Sequence, residues 1–342
     1  MQRSPFLDMV AVEAWDAWFR WRDQGRIRDV SIGDTWFRVT RSLSSAEPLA
    51  TRVAWKRQLF DACSDWRLLL DERILAVAGT SRPGWPHDRL GAVLNAAVFV
   101  GSPFTAEASF RHEAFEATAE LAVRALDNAS LLAGQGRPGI HLRVGLIGLA
   151  DALLQLGYAY DSEQGRRAAQ HIASSLACGC LRASLRLTRE RGAALTLADV
   201  PSQKRRLDQL STALPTQAGG QGLRHACLTA IEPRRRLALL ANNVADAVDP
   251  LLARGDAQAI FDGDTVRTIY SPGYALTVAA RLHAGHAVRR LGTELAGMSR
   301  SAQYALRRAM QDWIDQPIRY AWADPATDAT IKAVVAMHAV ST

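Results

Sequence analysis

Three guanidiniums in a row follow Pro233, at the start of a segment, Arg234 to Val244, whose apolar spacing predicts a helix. The positive end of a helix and a guanidinium both attract anions. Arg234, Arg235 and Arg236 are therefore an anion-attracting cluster at a predicted helix start. The plain alternative is a solvated arginine face. Lys204-Arg205-Arg206 is a second basic cluster and reads most simply as a solvated charge run. The thiols offer less chemistry. Cys178 and Cys180 have one residue between them in a helical pattern, so their sulfurs diverge and neither a zinc site nor a redox pair is favoured. Both, with Cys227, are expected to be buried. His283 and His286 have the spacing to share a metal, but no acidic or cysteine ligand stands near them, and no metal site is expected. No Gly-rich nucleotide loop, Gly-x-Ser-x-Gly elbow or His-Glu-x-x-His helix occurs.

The elements that must position these groups centre on Leu142 to Gln164. A short apolar strand, Val144 to Ile147, runs through Gly145 and Gly148 into an amphipathic helix with Leu149, Leu153 and Leu154 on one side and Asp151 and Gln155 on the other. Gly157 supplies a stop, and Asp161 with Gln164 is expected to cap the next helix, Ser162 to Arg191. Before this junction the chain reads as mostly helical over 1–75. Trp15, Trp18 and Trp21 form an aromatic packing stripe beside Phe19, and helices are predicted over Asp34 to Ser44 and Thr51 to Leu70. The Gly- and Pro-rich stretch Gly79 to Arg89 is the clearest break. Leu90 to Val100 reads as a buried strand and Ala106 to Leu132 as a helix. Asp199 to Gly222 looks like a surface insertion, and Leu223 to Ile231 like a strand. Helices are predicted over Ser301 to Asp315 and Asp328 to Ala339, with a strand at Ile318 to Ala323. Strands alternating with helices imply a mainly parallel sheet or barrel.

At 342 residues the chain can bury one large core or two ordinary ones. Hydrophobic content of 48% with 22% charged residues is that of a soluble globular protein. No apolar run approaches the roughly 20 residues that span a bilayer, and no secretion signal is visible, so a cytoplasmic protein without a membrane partner is expected. Four cysteines in a chain of this length read as reduced thiols. The net charge of +7 reflects an excess of arginine over many acids and is mildly permissive for phosphate or nucleic-acid partners.

Several blocks, in order, resemble the large subunit of ribonucleotide reductase. Gly145-Leu146-Ile147-Gly148-Leu149-Ala150-Asp151 followed by Tyr160-Asp161-Ser162-Glu163 is similar to its strand-to-helix junction and the next helix start. Leu94-Asn95-Ala96-Ala97-Val98-Phe99-Val100 resembles an Ile-Asn-Leu-Ala-x-Phe-Val strand, and Ala122-Val123-Arg124-Ala125-Leu126-Asp127-Asn128 an Ala-Val-Arg-x-Leu-Asp-Asn helix. Thr229 to Pro233, Val248 to Leu251 and Trp313 to Ile318 resemble later blocks. Asp34 to Val39 and Arg73 to Thr80 are similar to the opening of the adenosylcobalamin-dependent, class II enzymes. The likeness touches about Asp34 to Pro325. It implies an α/β, helix-rich fold holding roughly the C-terminal half of a ten-stranded barrel over 81–342, with an N-terminal helical segment over 1–80.

The resemblance also frames what is missing. In the family a long region before the Ile-Asn strand supplies half the barrel and the loop whose cysteine becomes a thiyl radical. Here about fourteen residues, Ser81 to Leu94, fill that interval and contain no cysteine. The family's other cysteine falls at about Arg89, no cysteine-rich C-terminal tail is expected, and Arg234 to Arg236 replace a Thr-Gly-Thr phosphate turn after a kept Pro233, so the resemblance implies Pro233, Arg234, Arg235 and Arg236 as the phosphate-binding residues, for a nucleotide, a phosphate or a nucleic-acid backbone. The leading expectation is a non-catalytic binding or regulatory relative. It would take a nucleotide or phosphate, or associate with a full-length reductase or with itself through unpaired strand edges, and would need no cofactor. One alternative is ribonucleoside-diphosphate reductase activity with adenosylcobalamin, completed by a partner chain. Another is a nucleic-acid-binding module using the two basic clusters.

Overall fold

Short apolar runs bounded by Gly and polar residues make buried strands, and longer ones with helical spacing make the layers over them. The structure, a computed structural model, describes residues 5–86, 89–134, 141–195, 222–251, 257–286 and 298–319. In chain order these form α1 (Met9–Trp18), β1 (Arg22–Asp23), β2 (Arg26–Ile27), α2 (Ile32–Ser44), α3 (Leu49–Ser64), β3 (Leu68–Leu70), α4 (Glu72–Val77) and β4 (Gly91–Asn95). A 3-10 turn (Ala96–Phe99) leads to β5 (Val100–Gly101), β6 (Ser109–Phe110), α5 (His112–Leu132), β7 (His141–Ile147), α6 (Leu149–Gln155) and α7 (Glu163–Arg191). Then come β8 (Cys227–Thr229), α8 (Arg235–Leu240), β9 (Ala257–Asp262), β10 (Thr265–Tyr270), α9 (Tyr274–Arg281) and α10 (Arg300–Gln311).

The principal sheet has the order β3-β4-β7-β8. β4, β7 and β8 are parallel; β3 lies antiparallel to β4, with Leu68 opposite Leu94. α5 connects β4 to β7, and α6 with α7 connects β7 to β8. The expected helix-rich α/β class with a mainly parallel sheet is therefore present. Among the described residues the sheet is open and four-stranded and does not close into a barrel. One apolar core joins both expected segments, with Trp36 and Leu43 packed into the same cluster as Leu94 and Leu126.

Both edges of this sheet are covered, one of the two ways in which a strand edge can be satisfied. All three leucines of β3 are buried. At β8 the backbone N–H groups of Leu228 and Thr229 donate to Asp315 Oδ2 at 2.8 and 2.9 Å. The Asp315 N–H donates in return to Thr229 Oγ1 at 2.9 Å, and the Gln316 N–H to the Thr229 carbonyl at 3.2 Å. A side-chain clamp thus occupies the outward row of the last strand.

Several element boundaries differ from expectation for local reasons. The third helix stops at Ser64, because Trp66 takes a left-handed φ of 59°, and Leu68–Leu70 becomes the edge strand. The strand from Leu90 shortens to Gly91–Asn95, where Asn95 turns the chain by accepting the Ala97 N–H. α5 starts at His112, after the β5–β6 hairpin, not at Ala106. Trp21 falls beyond α1, while Trp15 and Phe19 enter the core as the packing stripe predicts. The cap of α7 is Ser162, which accepts the Gly165 N–H at 2.9 Å, rather than Asp161 with Gln164. β8, α8 and α10 are shorter than their predicted segments. Lys204-Arg205-Arg206, the predicted helix at Asp328 to Ala339 and most of the predicted strand at Ile318 to Ala323 lie outside the described residues; Ile318 and Arg319 are not in a strand.

Candidate functional site

The carboxyl ends of β4 and β7 meet at Asn95 and Gly148. Gly148 has φ 71°, and a Cβ there would stand 2.7 Å from Asn95 Oδ1, so the turn admits only glycine without strain. Its N–H donates to the Ala245 carbonyl at 2.7 Å. α6 then begins, and the expected split into apolar and polar sides is not what forms: every residue of α6 is buried, Asp151 and Gln155 included. The Asp151 carboxylate accepts the Ala245 N–H at 2.7 Å and the Ala275 N–H at 3.0 Å, tying the segment after α8 and the start of α9 to the junction. Burial pushes its pKa up to about 6, against the two backbone donors.

The two N-terminal blocks form one unit. Asp29 accepts Thr35 Oγ1 at 2.6 Å and Arg38 Nε at 2.9 Å. The buried Arg38 guanidinium also donates to the carbonyls of Phe19, Leu75 and Ala78, each at 2.8 Å. Gly79, with φ 73°, lies so near the Arg38 carbonyl that a Cβ would stand 2.8 Å from its oxygen.

The Arg124-x-x-Asp127-Asn128 block builds a buried ionic core. Glu47, in the loop after α2, takes both Arg124 Nε and Nη2, at 2.8 and 2.7 Å, and Asn128 Nδ2 at 2.7 Å. Arg191 bridges Glu47 and Asp127. Asp127 also accepts Arg224 Nε at 2.7 Å. His225 Nε2 lies 3.3 Å from the same carboxylate, and its Nδ1 lies 2.8 Å from Ser184 Oγ. Ser184, His225 and Asp127 have the connectivity of a nucleophile, base and orienting acid. All three are fully buried. Burial lowers the pKa of His225, with the hydrogen bond and charge of Asp127 opposing. The trio is an internal strut joining α5, α7 and the approach to β8. Spacing alone gave no sign of it, because its members come from positions 127 to 225.

The arginine cluster does not converge. The Arg234 N–H caps onto Asp246 Oδ1 at 2.7 Å, while its guanidinium lies over Gly91 and pairs with Glu232 at 3.3 Å. Arg235 donates to Gln258, in β9. Arg236 stacks on Trp18 at 5.0 Å, with Glu72 at 3.7 Å. Pro233 is exposed beside them.

The four cysteines are all buried, as expected for Cys178, Cys180 and Cys227. Burial pushes the Cys63 thiol up to about 12 and raises that of Cys178. Gly179, between the two α7 cysteines, marks the contact of α7 with α5: a Cβ there would lie 2.4 Å from the Glu116 carbonyl oxygen. Replacing Gly179 with alanine is expected to destabilise the fold by about 1–3 kcal/mol despite the better helix propensity, read as a lower denaturant midpoint with unchanged slope. His283 and His286 acquire no third ligand, and among the described residues no three His, Cys, Asp or Glu side chains gather as a metal site. No helix among them is long and apolar enough to cross a membrane.

The three parallel strands, with the ends of β4 and β7 joined at the Gly148 turn and fastened by Asp151, are the centre of an α/β fold. The family model described as "Ribonucleotide reductase, barrel domain" matches residues 90–276, more than half of the chain. The chain belongs to that family. No curated protein matches it.

Proposed function

We propose that this chain is a non-catalytic member of the ribonucleotide reductase family, internally shortened from the adenosylcobalamin-dependent type, that keeps the scaffold and acts by binding. The observation that carries the reading is the state of the thiols. Reductase chemistry requires one cysteine poised at the substrate and a second pair to supply electrons, and all four cysteines here are enclosed in the core. Such thiols are inert, since thiolate character and access control cysteine reactivity. Adenosylcobalamin would supply a radical to be passed to a cysteine, and the residues present do not fit that use: every thiol is buried, with Cys178 Sγ accepting from Arg182 and Cys227 Sγ from Gln316. The antiparallel pairing of β3 with β4 supports the internal shortening, because residues just before the short interval occupy the place beside β4.

The test is a ribonucleoside-diphosphate reduction assay on the full chain with adenosylcobalamin and a dithiol. No deoxyribonucleotide is expected, and replacing each cysteine with serine is expected to change nothing in that assay. Turnover abolished by any one of these substitutions would overturn the reading.

A further inference from the structure

We propose that a cleft of about 450 Å3, formed where α5 and α7 begin, is a binding site for a small aromatic anion. Its walls come from the chain that follows the carboxyl ends of two neighbouring parallel strands: residues 108–112 after β4 and 156–172 after β7. In open α/β sheets ligands sit beyond the carboxyl ends of the strands. The volume lies in the roughly 300–1,000 Å3 range of small-molecule sites.

The lining specifies the ligand class. Phe110, Tyr158 and the buried Ile172 supply apolar and aromatic surface, while His112, Arg167 and His171 are the basic groups, and no carboxylate lines the cleft. Phe110 stands edge-on to His112 at 4.9 Å, a corner against which a planar ring can pack. Arg167 is the permanent cation. Its partner Glu163 is one helical turn away and both side chains are largely exposed, so their pairing is weak and yields to a ligand anion. His112 Nδ1 is held by Ser175 Oγ at 2.8 Å. Burial and the nearby His171 lower the His112 pKa, with Glu116 opposing, which keeps a neutral hydrogen-bonding imidazole on the wall. An anion facing Arg167 gains a charge-assisted, two-pronged bond, and the attached ring covers the aromatic floor. The inference stands whether or not the chain reduces ribonucleotides.

The full chain is titrated with phenyl phosphate, benzoate, inorganic phosphate and benzyl alcohol, following the imidazole resonances of His112 and His171 by NMR. Saturable shifts of both histidines with either aromatic anion are expected, and the tighter of the two names the headgroup. Inorganic phosphate and benzyl alcohol, each lacking half of the recognised chemistry, are expected to bind about tenfold more weakly. Arg167→Gln, at an exposed position, is expected to weaken the aromatic anion by about tenfold. The proposal is overturned by the absence of saturable shifts at millimolar aromatic anion, by equal affinity for inorganic phosphate or benzyl alcohol, or by unchanged affinity in Arg167→Gln.

Discussion

Replacing Asp127 with alanine is expected to lower the free energy of unfolding by about 3–5 kcal/mol, the scale for removing one partner of a buried ion pair. The loss comes from what is left behind. The Arg224 side chain stays 4% exposed with its carboxylate gone, Arg191 keeps only Glu47, and His225 loses the acceptor that orients it. Removing Asp127 and Arg224 together, each as leucine, is therefore expected to cost less than the sum of the two single changes. The effect depends on pH. Burial alone would raise the Asp127 carboxyl, but hydrogen bonds and charges from His225 and Arg224 outweigh it and hold the carboxyl well below the ordinary carboxylate range. A depressed folded pKa contributes stability above the unfolded value of about 3.9, and that stability fades as pH falls through the folded value. The deficit of Asp127→Ala should be full at pH 7 and shrink below about pH 4. Urea unfolding at several pH values measures it; a deficit independent of pH would count against the ionic account.

Asp151 behaves in the opposite sense. Alanine there leaves two buried backbone donors, Ala245 and Ala275, without acceptors, and about 2–5 kcal/mol of stability is expected to go. Asparagine removes the charge and keeps only one of the two hydrogen bonds, since it presents one acceptor and one donor to two donors. The folded pKa of Asp151 is raised to about 6, above the unfolded 3.9. Its favourable contribution is thus full below about pH 4 and lost as pH rises through 6, by an amount on the order of 3 kcal/mol. The wild-type advantage over Asp151→Asn should be larger at pH 4 than at pH 7. Parallel stability curves for the two proteins would remove the buried ionisation from the explanation.

The strand-to-helix junction was legible because its signals are local: an apolar run, glycines at the turn and a stop at Gly157, which has φ 79°. The long α7 and the buried cysteines were legible for the same reason. The edge strand Leu68–Leu70 was not, since three leucines continue a helical pattern as readily as they make a strand. What decides is the left-handed backbone at Trp66, which no propensity predicts for that residue type. The β9–β10 hairpin was missed although Gly263-Asp264, the two residues between the paired Asp262 and Thr265, is a hairpin turn with glycine at its first central position. The burial of Asp151 was not legible in the amphipathic pattern of α6, because its two backbone partners lie 94 and 124 positions away. The ionic core was hidden in the same manner. The blocks that carry the family likeness are those that fasten the framework: Arg38 on Ala78, Asp127 on Arg224, Gly148 on Ala245, Tyr160 on Val248, Thr229 on Asp315. They speak for ancestry and fold, and are silent about a ligand.

The closing of β8 by Asp315 bears on how this chain can meet other proteins. A ladder whose last rung already holds a carboxylate offers a newcomer no vacant amide. A second polypeptide could continue the sheet from β8 only by evicting that acid and stranding it, along with two main-chain donors, in the meantime. Docking through helical surfaces meets no such barrier, so a chain approaching at β8 would sit beside the sheet rather than extend it.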